Sequence, residues 1–243
     1  MQNKLTKIST EKLKIFIHEK KGFVLDVRSV DAYNGWKMQN EMRGGHIKGA
    51  KSLPAKWGNY IDWIEIVRSK GILPEHEIVL YGYESEETEK VAGLFTRAGY
   101  QKIKIYTHFV DEWTTDINLQ MDFLPRYKNL VHAGWINKIV SGNTPLEIKG
   151  KKVVICHSHY RNREAYLSGH IPGAIDMDTL TLEAPETWNR RSPEDLKTAL
   201  LQHGITADTT VILYGKFIFP NNDDDFPGSA AGDIGAIRSA FIM

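Results

Sequence analysis

A chain of 243 residues suits one large domain or two of ordinary size, and its 42% hydrophobic and 25% charged content is normal for a globular protein with a core to bury. The formal net charge of +1 offers no field for nucleic acid or a membrane surface, and no apolar run approaches the roughly 18–20 residues of a membrane span. One cysteine, Cys156, excludes an internal disulfide framework, a four-cysteine zinc site and a CxxC redox pair, though not nucleophilic chemistry, which needs a single thiol. The polar stretch Met1–Thr10 lacks the apolar core of a secretory signal, so a cytoplasmic location is expected, with the periplasm open if a signal has been removed.

Taken in chain order, Ser9 or Thr10 caps a helix carrying Leu13, Phe16 and Ile17 on one face. The apolar run Phe23–Val27 reads as a strand buried on both sides. Glu77–Tyr81 is a further strand. Ser85 then caps a helix with Val91, Leu94, Phe95 and Ala98 at helical spacing, ended by Gly99. Lys102–Tyr106 supplies another strand, followed by 108-HFVDEW-113. The stretch 130-LVHAGWINKIVSGN-143 reads as a helix and Asn143–Lys152 as a loop before the strand Val153–Cys156. Ser192-Pro193-Glu194-Asp195 starts a helix that Gly204 stops, with Leu196, Ala199 and Leu200 inward. Val211–Tyr214 is a strand, 216–233 a long loop and Ile234–Met243 a last helix. Strands alternating with helices imply a mainly parallel sheet covered on both faces.

The chain repeats itself. The segment 25-LDVRSVDAYNGW-36 leads to 44-GGHIKGAKSLP-54, and 161-RNREAY-166 leads to 168-SGHIPGAIDMD-178. A second matched pair, 77-EIVLYG-82 and 210-TVILYG-215, follows in the same order. Two motifs in matched order describe a duplicated module of about 120 residues. The boundary is expected between residues 115 and 150, giving modules over 1–125 and 126–243.

These residues resemble the rhodanese family of sulfurtransferases: an LDVR strand end, a tyrosine a few residues on, GHI-x-GA, then an apolar strand ending in Tyr. The second copy is similar to tandem or three-repeat bacterial thiosulfate sulfurtransferases. The resemblance implies an α/β fold of two tandem rhodanese-like modules. Each is a mainly parallel five-stranded sheet flanked by helices, the second incomplete at its C-terminal end. It also implies a cysteine just after the strand ending in Tyr, in a loop whose backbone N–H groups and helix N-terminus lower the thiol pKa. That thiolate takes a sulfur from thiosulfate or mercaptopyruvate as a persulfide and passes it to a thiol or cyanide. No cofactor or metal is implied. The implied partner is a small sulfur donor where the catalytic module is present, with a further rhodanese module or a homodimer as protein partners and no nucleic acid or membrane.

The residues depart from that pattern where it matters most. The positions equivalent to the family cysteine are Gly82 and Gly215, and neither supplies a nucleophile. Glu84, Glu86 and Glu87 beside Gly82 complement a helix N-terminus but compete with an anion for it. No catalytic residue is therefore assigned. Cys156 lies inside another strand and reads as a buried small hydrophobe; Cys156 and His159 would point to opposite faces of it. His46 and His170, repeated in two modules without a nucleophile, read as loop anchors through backbone hydrogen bonds. Arg28 and Arg161 read as equivalent strand-end cations in structural ion pairs, and Trp36, Trp57 and Trp63, grouped after the first strand, as core or interdomain packing residues. The run Asp223–Asp225 raises a hard-cation site, but a solvated acidic loop is the expectation.

Three functions remain open. The chain is part of a sulfurtransferase whose cysteine module is absent from it, or a non-catalytic binding or scaffold module, or, least favoured, an enzyme using Cys156. The second copy lacks the closing strand and helix of the first, so the gene is expected to continue beyond Met243.

Overall fold

The computed structural model describes residues 5–215 and 231–243. The chain divides into two compact units, 1–132 and 133–243.

The first unit comprises β1 (Thr6–Lys7), α1 (Thr10–His18), β2 (Gly22–Asp26), α2 (Val30–Asn34), β3 (His46–Ile47), β4 (Lys51–Ser52), α3 (Trp63–Ser69), β5 (Glu77–Tyr81), α4 (Ser85–Arg97), β6 (Ile103–Tyr106) and β7 (Met121–Asp122). Five of these strands form one parallel sheet in the order β1-β6-β5-β2-β4. The sheet is two-sided, which is why its strands read as unbroken apolar runs. Leu25, Ile78 and Leu80 pack with Val91 and Phe95 of α4, while Val24, Val79 and Tyr81 pack with Leu13 and Phe16 of α1. Each fully buried aliphatic side chain of this kind contributes about 1.5–3 kcal/mol. The helices begin where local chemistry starts them: the Ser9 hydroxyl accepts the Lys12 N–H and the Ser29 hydroxyl that of Ala32.

After β6, Phe109–Trp113 forms a wide helical turn whose Phe109 and Trp113 close one face of the core. Arg43 fastens the following stretch. Its guanidinium donates to the carbonyls of Trp113 and Asp116 at 2.6 Å each, Thr114 at 2.9 Å and Leu119 at 3.0 Å.

The second unit comprises α5 (Ala133–Val140), β8 (Lys152–His159), α6 (Arg163–Ser168), β9 (Ile175–Asp178), β10 (Glu183–Ala184), β11 (Asn189–Arg190), α7 (Pro193–Gln202), β12 (Thr209–Tyr214) and α8 (Ala231–Ile242). Among the described residues its main sheet has three parallel strands, β12-β8-β9, and β10 and β11 form an antiparallel pair. Cys156, Met177, Leu182 and Ile205 form its core, with Leu196 and Leu200 of α7 packed against them. Gly99 and Gly204 stop their helices at φ 91° and 70°, the left-handed region that a glycine enters without strain.

Two expectations are corrected. The strand expected at Val153–Cys156 continues to His159, because His157 and Ser158 still find partners in β9. The tryptophans do serve packing: Trp63 is in the core against Phe95, Trp57 packs against that same core, and Trp36 packs on Tyr127 and His132. Arg28 and Arg161 are not alike, since Arg28 is buried in an ion pair whereas Arg161 is exposed, with its backbone at φ 49°. The Asp223–Asp225 run lies outside the described residues. Among the described residues, no helix is long and apolar enough to cross a membrane.

Candidate functional site

In parallel α/β sheets ligands bind beyond the C-terminal strand ends, and in the first unit that space is filled by the protein itself. Asp26 ends β2 opposite Tyr81 of β5. Two residues on, Arg28 is 1% exposed and donates to Asp26 Oδ2 at 2.6 Å, Asp26 Oδ1 at 3.0 Å, the Gly45 carbonyl at 2.6 Å and the Tyr83 hydroxyl at 3.3 Å. Its guanidinium carbon lies 4.1 Å from the centre of the Phe109 ring. The Tyr81 hydroxyl donates to Asp26 Oδ2 at 2.8 Å and accepts the Ile47 N–H at 3.0 Å. The Tyr83 hydroxyl donates to Glu41, whose carboxylate also accepts the N–H groups of Met38 and Gln39 at 2.9 Å each.

The electrostatics follow from burial and pairing. Burial works against the Arg28 charge, but the adjoining Asp26 carboxylate outweighs it and the net shift is upward. Burial likewise opposes the charged form of Glu41, yet the hydrogen bonds from Tyr83 and the backbone hold its pKa below the usual carboxylate range. Burial raises both Tyr81 and Tyr83, so both stay neutral donors. Leaving one member of such a buried pair alone costs about 3–5 kcal/mol.

Gly82 follows Tyr81 directly, and no side chain fits there. A Cβ at this position would come 2.9 Å from both Thr88 Oγ1 and Val27 Cγ2. Neither atom ends a flexible chain, and the Thr88 hydroxyl is tied to the Glu84 carbonyl at 2.9 Å. Only three residues separate β5 from α4, too few to ring a bound anion with backbone N–H groups.

The second unit repeats the frame but changes the chemistry. His170 Nδ1 bonds the Tyr166 carbonyl at 2.9 Å with the two rings stacked, as His46 Nδ1 bonds the Tyr33 carbonyl at 2.7 Å. The expected loop-anchoring contacts of both histidines are thus present. The Tyr214 hydroxyl accepts the Ile171 N–H at 2.9 Å, matching Tyr81 and Ile47. Opposite Tyr214, however, stands His157 rather than an aspartate. His157 is 3% exposed, and neither ring nitrogen has a hydrogen-bond partner among the described residues. Burial, with His159 close by, lowers its pKa. His159 itself is fully used: Nε2 meets Asp176 Oδ1 at 2.6 Å and Nδ1 accepts the Asn162 N–H at 3.1 Å.

Cys156 is completely buried, and burial pushes its thiol up to about 12. Such burial disfavours the thiolate, the form that acts as a nucleophile. A surface group not foreseen from the sequence, His108, Asp111 and Glu112, brings three potential ligand atoms within 4.8 Å of one another, but all three side chains are at least 44% exposed and already pair with each other.

Sequence reasoning missed Glu41 and weighed His157 only as a neighbour able to activate the Cys156 thiol. The signal for Glu41 was an insertion, since Tyr33 and His46 are separated by nine more positions than Tyr166 and His170. The place of His157 opposite Tyr214, where the first copy has Asp26, is set by strand pairing.

Comparisons with known proteins bear on both units. The family model for the rhodanese-like domain matches residues 9–116. Thiosulfate sulfurtransferase YnjE of Escherichia coli (strain K12) is 27% identical over 206 residues, which are 84% of this chain and 46% of that protein. Wild-type EanB matches with a TM-score of 0.89 at 57% identity, over 98% of this chain and 56% of that one. The anaerobic ergothioneine biosynthesis enzyme from Chlorobium limicola, in complex with trimethyl histidine, matches with a TM-score of 0.88 at 56% identity over the same shares. A form of EanB carrying a cysteine persulfide, with ergothioneine, gives 0.88 at 57% identity, again over 98% and 56%. The chain spans about half the length of these relatives.

Proposed function

We propose that this chain, whose residues 9–116 match the rhodanese-like domain, forms the two non-catalytic units of a sulfurtransferase whose persulfide-bearing cysteine lies outside these 243 residues. The observation that carries this reading is the absence of room for a side chain at Gly82, with the buried Arg28–Asp26–Glu41 group filling the strand ends above it. Gly215 repeats the loss in the second unit, and the one thiol, Cys156, is held protonated in the core. Relatives roughly twice as long leave space for a catalytic module elsewhere in the polypeptide.

Identity favours the EanB type over the thiosulfate type, 57% against 27%. On this reading the whole protein moves the outer sulfur of a cysteine persulfide onto the imidazole carbon of trimethyl histidine. The carbon–hydrogen bond becomes a carbon–sulfur bond, the persulfide S–S bond breaks, and the cysteine returns as a thiol, so no outside oxidant is needed.

A scaffold role without any sulfur chemistry is the second reading, favoured by the self-filled strand ends of the first unit. One experiment separates them. The longer polypeptide that contains this chain is incubated with polysulfide and trimethyl histidine, and persulfide and ergothioneine are read by mass spectrometry. Ergothioneine from the longer polypeptide, unaffected by Cys156→Ser and absent with the 243-residue chain alone, supports the proposal. Persulfide on Cys156, or no sulfur transfer from the longer polypeptide, overturns it.

A further inference from the structure

Helix α3 ends at Ser69, Lys70 caps it, and Gly71 follows at φ 75°. The last carbonyls of a helix have no partner inside it and carry its negative end, so a cation is stabilised there. The cation that comes is not the ammonium of Lys70 itself. Lys51 reaches across from β4, the edge strand of the sheet, and its Nζ donates to the Lys70 carbonyl, 4.7 Å from the centre of the Phe23 ring. Lys70 instead turns its own Nζ over Trp57, 5.5 Å from the ring centre. Both lysines are half-buried.

Two ammonium groups thus share one helix end without a counter-ion. Lys14, Lys21 and Lys104 each meet a carboxylate, but among the described residues neither Lys51 nor Lys70 does. Glu65 and Arg68 of α3 and Lys56 of the turn Ala55–Asn59 are exposed and pair with neither lysine, and His76 packs on the far partner, Phe23. The face of Trp57 favours the cation weakly. Burial and the charge of Lys51 act the other way and win, so the Lys70 pKa lies below that of an ordinary lysine. A lysine desolvated beside a second cation has its lone pair free at lower pH, which is the condition for a nucleophilic amine.

We propose that Lys70 is a modification site, acylated on Nζ by anionic acyl donors of the acyl-phosphate class, with Lys51 as the cation that draws the donor in. The lone pair of neutral Lys70 Nζ attacks the acyl carbon. The bond from that carbon to the phosphate oxygen breaks, inorganic phosphate leaves with the electron pair, and Nζ loses one proton to water. The product is an amide, and no oxidant or further reactant enters. The charge lost is one of two like charges at the helix end, so the modified lysine leaves Lys51 as the sole cation on the α3 carbonyl. None of this depends on the sulfur chemistry proposed above.

Acetyl phosphate at pH 8, with peptide mass spectrometry read over time, tests it against Lys48, an exposed lysine of the same unit. Lys70 should be acetylated about three- to tenfold faster than Lys48, the gain expected from a lysine pKa lowered by about one unit. Lys51→Met should bring Lys70 down to the Lys48 rate, and Lys51→Arg, which keeps the cation, should not; a thermal melt checks that each variant is folded. Acetic anhydride, an uncharged donor, should favour Lys70 less than acetyl phosphate does, a comparison that needs no variant. Acetylation of Lys70 no faster than Lys48, or a rate unchanged in folded Lys51→Met, overturns the proposal. An equal preference with the anhydride overturns the assignment to acyl phosphates.

Discussion

His157 and Tyr214 stand opposite each other across β8 and β12, ring centroids 4.9 Å apart, at the register position that Asp26 and Tyr81 hold in the first unit. In the first unit the tyrosine hydroxyl donates to a carboxylate; in the second it faces an imidazole with no hydrogen bond. The same frame therefore stores a buried ion pair in one copy and a buried neutral base in the other.

This contrast predicts a pH effect confined to the second unit. Burial lowers the folded-state pKa of His157 below its unfolded value of 6.5. Below that value the unfolded chain binds the proton more readily, so stability is full above pH 6.5 and falls as the pH drops. The slope approaches about 1.4 kcal/mol per pH unit for one group. Urea denaturation between pH 5 and 8, followed by hydrogen exchange in β8, should show this fall, and His157→Phe should flatten it. An unchanged profile in His157→Phe would remove His157 as the cause.

In the first unit, Arg28→Leu or Asp26→Asn should cost about 3–5 kcal/mol each, since either leaves a buried partner unpaired. The two together should cost less than the sum of the single losses, a coupling that a double-mutant cycle in urea measures. Additive losses would mean the pair is not coupled.

Gly82→Cys should not create an active site. The new Cβ meets Thr88 and Val27 at 2.9 Å, so overpacking should cost about 1–3 kcal/mol. Cyanolysis with thiosulfate and a thermal melt of the variant check both halves. Turnover with unchanged stability would show that the crevice opens more readily than its packing implies.

Arg43→Ala should loosen the stretch 113–119 while sparing the sheet. Hydrogen bonds from a charged donor contribute about 1.5–3 kcal/mol, and four carbonyls lose their donor together. Exchange of the amides in 113–119 should quicken, with Glu77–Tyr81 little changed. Arg43→Lys should rescue only in part, since one ammonium cannot reach all four carbonyls.

Much of this architecture is legible in the chain because it rests on local signals. Apolar runs of five residues, serine caps three residues ahead of an amide, and glycines after the last helical turn each act within a few positions. The duplicated GHI-x-GA and LYG segments mark Gly82 and Gly215 as equivalent positions with no coordinates at all. The reading failed where an outcome depends on distant partners. Arg28 and Arg161 look equivalent as letters, but only Arg28 has an aspartate two residues earlier and an insertion bringing Glu41 over it. Trp36, Trp57 and Trp63 look alike as letters, yet Trp57 and Trp63 share one core while Trp36 lies on Tyr127.

By itself, then, the sequence determined the alternation of strands and helices and the paired motifs, because each depends on residue type and spacing along one stretch of chain. Only the tertiary structure decided that a Cβ at Gly82 would crowd Thr88 and Val27, and that His157 is buried with no hydrogen-bond partner among the described residues. Those are properties of volume and pairing, set by residues far apart in sequence that folding brings within 3–5 Å of one another.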